Sequence, residues 1–147
     1  MLVRDVMTKD LFTLREDQKV IAAEEMMEWA HIRHGPVIDA AHRLVGIVCS
    51  SDILRAAVAT VGANLTAADR RLRLGSLPAA KAMHKPVHVI DPDAHVQEAA
   101  SLMRRLKIGC LPVVEDGRLV GVISSYDVLK IFEHLPDRVF VAAAPSE

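Results

Sequence analysis

GIVCSSDIL (Gly46–Leu54) returns as GVISSYDVL (Gly121–Leu129), and this near-duplication decides the fold. Self-similarity at a fixed spacing marks a repeat architecture, so the phrase is followed outward in both directions. Shifted by 76 residues, Met7 falls on Met83, Asp17 on Asp93, Val20 on Val96, Ala23 on Ala99, Met27 on Met103, Ile32 on Ile108, and Pro36-Val37 on Pro112-Val113. One residue is lost where DAAHR faces EDGR, and the shift becomes 75, which lays Leu44-Val45-Gly46 on Leu119-Val120-Gly121. The 147-residue chain is therefore written as one unit, twice.

Each copy spells the same run of elements. A short extended stretch (LFTL; VHVI) leads to Asp17 or Asp93, a residue type suited to cap a helix. Val20, Ala23, Met27 and Ala30, and in the second copy Val96, Ala99, Met103 and Leu106, follow at the three-and-four spacing of one helical face. PVID and PVVE then open a strand, the Asp116-Gly117 pair signals a tight hairpin, and LVGIV or LVGVI returns as a buried strand. A second helix begins within SSDIL or SYDVL. The expected class is α+β, two β-α-β-β-α units packed sheet to sheet about a pseudo-two-fold axis, because one such unit buries only one sheet face with its own helices.

Repeat 1 is assigned to residues 1–57 and repeat 2 to 79–134. Residues 58–78 form a linker with a short basic helix from Thr66 to Leu74 ended by Gly75, after a break at Gly62 and Asn64. Its RRLR run reads as a solvated helix face rather than an anion patch. Residues 135–147 read as a loosely held tail.

Composition removes several functions. Lys and Arg (18) nearly balance Asp and Glu (19), and aromatics make up 3%, so neither a polyanion-attracting field nor a base-stacking platform is expected. No stretch approaches the roughly 20 apolar residues of a membrane span, which predicts a cytoplasmic protein with no membrane partner. Cys49 and Cys110 lack CxxC spacing and read as small buried hydrophobes. The seven histidines include no HExxH, and no nucleophile elbow or P-loop appears. His84 and His88 flank Pro86 in an extended stretch and do not share a helical face, so no metal and no catalytic residue is expected.

The doubled pattern RDVMT, amphipathic helix, HGPVID, LVGIVCSSDIL, then KAMHKP, amphipathic helix, CLPVVEDGRLVGVISSYDVL resembles a pair of cystathionine-β-synthase-type (CBS) domains, a Bateman module. The resemblance covers residues 3–57 and 79–134, and it bears on Ser124-x-x-Asp127. By itself that spacing is close to a capping box. The same helix start also offers backbone N–H groups to a phosphate, while an acid one turn in suits two vicinal ribose hydroxyls. The resemblance implies the second use, for adenosine nucleotides, and Gly121 to Asp127 matches the family's G-h-h-[ST]-x-x-D in full. The first copy keeps Gly46 and Asp52 but places Cys49, a weak donor, where the hydroxyl belongs. Asp52 there binds poorly, binds something else, or caps its helix through Ser50.

The resemblance further implies that each cleft is built across the repeats. Thr8, Lys9, Leu11 and Phe12 would join Asp127, whereas His84, Lys85 and Val87 would join Asp52. Ile32, Arg33 and His34, with Ile108, Gly109 and Cys110, would line the shared space, apolar members meeting adenine and Arg33 meeting phosphate. The expected protein is a stand-alone regulatory module for AMP, ADP or ATP, homodimeric, signalling to a partner protein. The alternatives are an S-adenosylmethionine sensor and a ligand-free dimeric scaffold whose exposed faces carry Met26, Trp29 and Val58.

Overall fold

The computed structural model describes residues 1–59 and 66–134; the expected break at Gly62 and Asn64 and the tail at 135–147 lie outside them. The elements run α1 (Val3–Val6), β1 (Leu14–Arg15), α2 (Val20–Ala30), β2 (His34–Ile38), β3 (Leu44–Cys49), α3 (Ser50–Val58), α4 (Ala67–Ser76), α5 (Ala79–Ala82), α6 (Val96–Leu106), β4 (Cys110–Glu115), β5 (Arg118–Ser124) and α7 (Ser125–Glu133). Both copies follow the β-α-β-β-α order. The first strand is shorter than LFTL and VHVI suggest: it is two residues in copy one, parallel to β2, and a single parallel bridge from Ile90 to Val113 in copy two.

The hairpins form as their turn chemistry requires. Asp116 and Gly117 both have positive φ, 50° and 78°, the geometry a two-residue turn between right-twisted strands demands. The longer turn of copy one is held by Asp39, whose Oδ1 accepts from the N–H groups of Ala41 (2.8 Å) and Arg43 (3.0 Å).

Helices α2 and α6 bury Val20, Ala23 and Met27, and Val96, Ala99 and Met103, and both end on a left-handed residue, His31 and Lys107. Asp17 and Asp93 do not cap them. The N-caps are Lys19 and His95, neither with a side-chain cap bond, and the first helical N–H groups are met from outside their own repeat: Val20 donates to the Leu77 carbonyl (2.8 Å) and Val96 to that of Met1 (3.2 Å). Asp17 pairs with Arg15 (3.3 Å) and Asp93 with Arg4 (2.7 Å).

That exchange extends along the whole leading segment of each repeat. Val3 and Arg4 donate to the carbonyls of Ala94 and Pro92, while Ala79 and Ala80 donate to those of Gln18 and Glu16. Leu2 bridges His95 and Pro78 bridges Lys19; Thr8 bridges Val122 and His84 bridges Ile47. Every contact has its mirror 75 or 76 residues away, and Arg43 bridges its own counterpart Arg118, as a pseudo-two-fold axis between the halves requires. Each core thus includes residues from the other copy. Val3 is fully buried with Ile90, Leu111, Val113 and Ile123, and Ala79 with Leu14, Val20, Val37 and Val48.

The repeated glycines and methionines belong to this exchange. A Cβ on Gly121 would lie 2.5 Å from Met7 Sδ and 3.1 Å from the Thr8 carbonyl oxygen, and one on Gly46 would lie 2.8 Å from Met83 Cγ. Both glycines permit close approach of the other repeat's leading segment.

Helix α4 has no counterpart among the described residues. Thr66 caps it, accepting from the Asp69 N–H, and it continues through Gly75 to Ser76. Its arginines are only partly a solvated face: Arg71 is exposed, 3.8 Å from Glu25, whereas Arg70 pairs with Glu24 and Arg73 donates to the Ala56 carbonyl. These bonds tie α4 to α2 and α3 over Leu74, which is fully buried in the first core. Trp29 and Val58 are exposed and Met26 is half-buried. No helix among the described residues is long and apolar enough to cross a membrane.

Candidate functional site

At the junction of β5 and α7 the capping geometry is complete. Asp127 Oδ2 accepts from the Ser124 N–H (2.8 Å) and hydroxyl (2.6 Å), and the Ser124 hydroxyl oxygen accepts from the Asp127 N–H (3.2 Å). The Ser125 N–H donates to the Gly109 carbonyl (2.9 Å), so most of the helix start is already satisfied from within, and the Ser124 hydrogen is committed to Asp127. Asp127 Oδ1 has no partner among the described residues, and the side chain is half-buried. One carboxylate oxygen caps the helix; the other is left to accept from a hydroxyl.

The first copy repeats the backbone and changes the chemistry. Cys49, rather than Ser50, is the N-cap of α3; its N–H donates to Asp52 Oδ2 (2.8 Å), and the Ser50 N–H donates to the Arg33 carbonyl (2.9 Å). Asp52 is 4% exposed, the one buried charged side chain among the described residues. Its Oδ1 lies 2.6 Å from His84 Nε2 and accepts from Arg55 Nη1 (3.2 Å), so both carboxylate oxygens are in contact with a neighbour. Burial, followed by the adjacent Asp52 charge, pushes the Cys49 thiol up to about 11; burial pushes Cys110 up to about 12.

The structure brings the leading segments to the expected sides. Thr8 exchanges both backbone bonds with Val122 (2.9 and 3.0 Å), two residues before Ser124, and His84 does the same with Ile47 (2.8 and 3.4 Å). Thr8 and Lys9 are exposed and Leu11 is half-buried. Phe12 packs edge-on against Trp29, with ring centroids 5.8 Å apart. Ile32 is half-buried against the first core. Arg33 is exposed, and its guanidinium has no ion-pair partner among the described residues. His34 is half-buried across from Gly109, its Cε1 3.5 Å from where a Cβ on that glycine would sit. Burial first, then the Arg33 charge, lowers the His34 pKa against the opposing pull of Asp52.

Not everything converges. Lys85 and Val87 line a groove of about 460 Å³ with Leu44, Val45, Pro86 and Val114, and Ile108 lines another of about 310 Å³ with Met103, Ser125 and Leu129. Neither aspartate lines either groove. Sequence reasoning placed His84 near Asp52 but missed their 2.6 Å contact, and it missed Arg55 altogether. The i, i+3 spacing of Asp52 and Arg55 on one helix was the available signal.

A family model described as CBS domain matches residues 3–59 and 79–134. A CBS domain-containing protein of Dictyostelium discoideum is 32% identical over 140 residues, covering 92% of this chain and 96% of that protein. A homoserine O-acetyltransferase of Methanohalobium evestigatum is 30% identical over 132 residues, and there the chain spans only 24% of the longer relative. Among solved structures, a candidate acetoin utilization protein (AcuB) from Vibrio cholerae superposes with TM-score 0.75 at 34% identity, covering 90% of each chain. The CBS domain pair of protein MJ0100, in complex with 5-methylthioadenosine and S-adenosyl-L-methionine, gives TM-score 0.73 at 26% identity, covering 90% of this chain and 96% of that one. CBSX2 in complex with AMP gives TM-score 0.73 at 25% identity, with the same coverage.

Proposed function

Because this chain belongs to the CBS domain family, we propose that it is a regulatory module that binds an adenine nucleotide of the AMP, ADP or ATP class between its repeats. The observation that carries this reading is the division of labour in the Asp127 carboxylate, one oxygen capping α7 and the other without a partner among the described residues. In this reading Asp127 Oδ1 accepts from the ribose hydroxyls and the unpaired Arg33 guanidinium takes phosphate. Ile32 and Ile108 face adenine, and Thr8, Lys9, Leu11 and Phe12 close the near side. His34, opposite Gly109, adds a largely neutral imidazole at the centre. The AMP complex of CBSX2 supports this ligand class. A nucleotide that prefers one arrangement of a homodimer shifts the population toward it, which gives the module a way to signal to a partner protein without chemistry of its own.

Two observations favour other readings. The MJ0100 complex favours S-adenosylmethionine, a ligand with no phosphate for Arg33. The complete capping box at Ser124, together with exposed Leu54, Val58, Tyr126 and Leu129, favours a dimeric scaffold that binds no small ligand. One thermal-unfolding titration separates the three, using AMP, ADP, ATP and S-adenosylmethionine on the wild type and Asp127→Asn. The amide keeps an acceptor for the cap and loses the charge. Ligand at about a hundred times its Kd stabilises by about 2.7 kcal/mol. A shift with an adenine nucleotide that Asp127→Asn abolishes is the expected result. No shift with any ligand at millimolar concentration refutes the sensor and leaves the scaffold.

A further inference from the structure

The two repeats place different side chains against their aspartates. Asp52 Oδ1 is held by His84 at 2.6 Å and Arg55 at 3.2 Å, whereas the residues that correspond to these two, Thr8 and Lys130, make no bond to Asp127. Lys130 lies instead over the Tyr126 ring, 5.5 Å from its centroid. Asp52 is buried and Asp127 half-buried. The His84 contact is set by the backbone, because the paired bonds to Ile47 (2.8 and 3.4 Å) fix where the imidazole begins. The 2.6 Å approach leaves no room for another group between the imidazole and Oδ1, and a buried carboxylate that loses its neighbours needs replacements.

We propose that His84 is an internal occupant of the Asp52 cleft, standing where a ligand's vicinal hydroxyls would donate, so that the two clefts are unequal and a diol-bearing ligand loads the Asp127 cleft alone. This rests on the nucleotide reading above and adds what governs the second cleft. A hydroxyl pair reaches Asp52 Oδ1 only by displacing the imidazole, and it must then satisfy a carboxylate that is 4% exposed. At Asp127 the corresponding residue is a short, exposed threonine, and nothing has to leave. His84 is thus a specificity-determining residue that acts by exclusion.

The test exchanges the two residues that differ. Equilibrium dialysis of the full chain with AMP, and separately with S-adenosylmethionine, compares the wild type, Asp127→Asn, His84→Thr and Thr8→His, with folding checked by thermal midpoint. Expected are one ligand per chain in the wild type, its loss in Asp127→Asn, a second ligand per chain in His84→Thr, and affinity at least about tenfold weaker in Thr8→His. Two equivalent sites in the wild type overturn the proposal, as does a single site that survives Asp127→Asn. If His84→Thr does not fold, Thr8→His decides alone, since it removes nothing buried; unchanged affinity there refutes the latch while the nucleotide reading stands. Absence of binding by every variant removes both.

Discussion

Substituting Gly121 by alanine probes the seam between the repeats. The new Cβ would sit 2.5 Å from Met7 Sδ, 3.0 Å from its Cγ and 3.1 Å from the Thr8 carbonyl oxygen. The thioether can swing away, but the carbonyl cannot, because it accepts from Val122 at 3.0 Å while the Thr8 N–H donates back at 2.9 Å. Overpacking of this kind costs about 1–3 kcal/mol, and with a backbone atom in the clash the upper half of that range is expected. Met7→Ala removes the sulfur and Cγ, two of the three nearest neighbours of the new Cβ, and leaves the carbonyl. The double variant should therefore be more stable than the sum of the singles predicts, with a coupling of about 0.5–3 kcal/mol. Urea denaturation of all four proteins, with unchanged m-values, measures the cycle. A neutral Gly121→Ala, or two additive losses, would show that the glycine does not serve the approach of Met7.

Three further outcomes are expected. Truncating Leu74 to alanine should cost about 2–5 kcal/mol by urea denaturation, because it is the residue of α4 fully buried in the first core; a loss under about 0.5 kcal/mol would make that helix a surface linker. His34 has a folded-state pKa below its ordinary value near 6.5, so the unfolded chain takes up its proton first on acidification. The His34 contribution is complete above that value and is lost as pH falls through it, and the thermal midpoint of His34→Gln should fall less between pH 7.5 and 5.5 than that of the wild type. With thiols at about 11 and about 12, Cys49 and Cys110 should alkylate slowly with iodoacetamide at pH 8 in the native protein and quickly in denaturant. Fast native labelling of either one refutes its assigned environment.

The repeat made most of the fold legible, since Val20, Ala23 and Met27 could be checked against Val96, Ala99 and Met103, and Asp116-Gly117 carries its own turn geometry. What stayed hidden was whatever one repeat does to the other. Asp17 and Asp93 stand where a cap would, yet the helix starts are met by carbonyls of residues 77 and 1, which no local pattern predicts. The arginines of α4 read as solvated because their partners Glu24 and Glu25 lie on a helix distant in sequence. The candidate site was legible at Asp127 through its spacing. At Asp52 the cysteine at position 49 was a legible departure, while the larger difference, the His84 contact, depends on a backbone pairing seen only in three dimensions.

The crossing of the leading segments also orders events during synthesis. Residues 3 to 8 leave the ribosome well before Pro92, Ala94 and Val122, the groups they bond. The second core therefore closes around a segment that has been waiting since before the first core was made, while the first core needs Ala79 from beyond α4. Each core is incomplete without residues of the other half, and contacts this far apart along the chain slow the search for the native state. The pairing of Thr8 with Val122, which must wait for Val122 to be made, is also the one that brings the leading segment up toward Asp127. A chain that has not finished folding thus has no assembled Asp127 cleft to present.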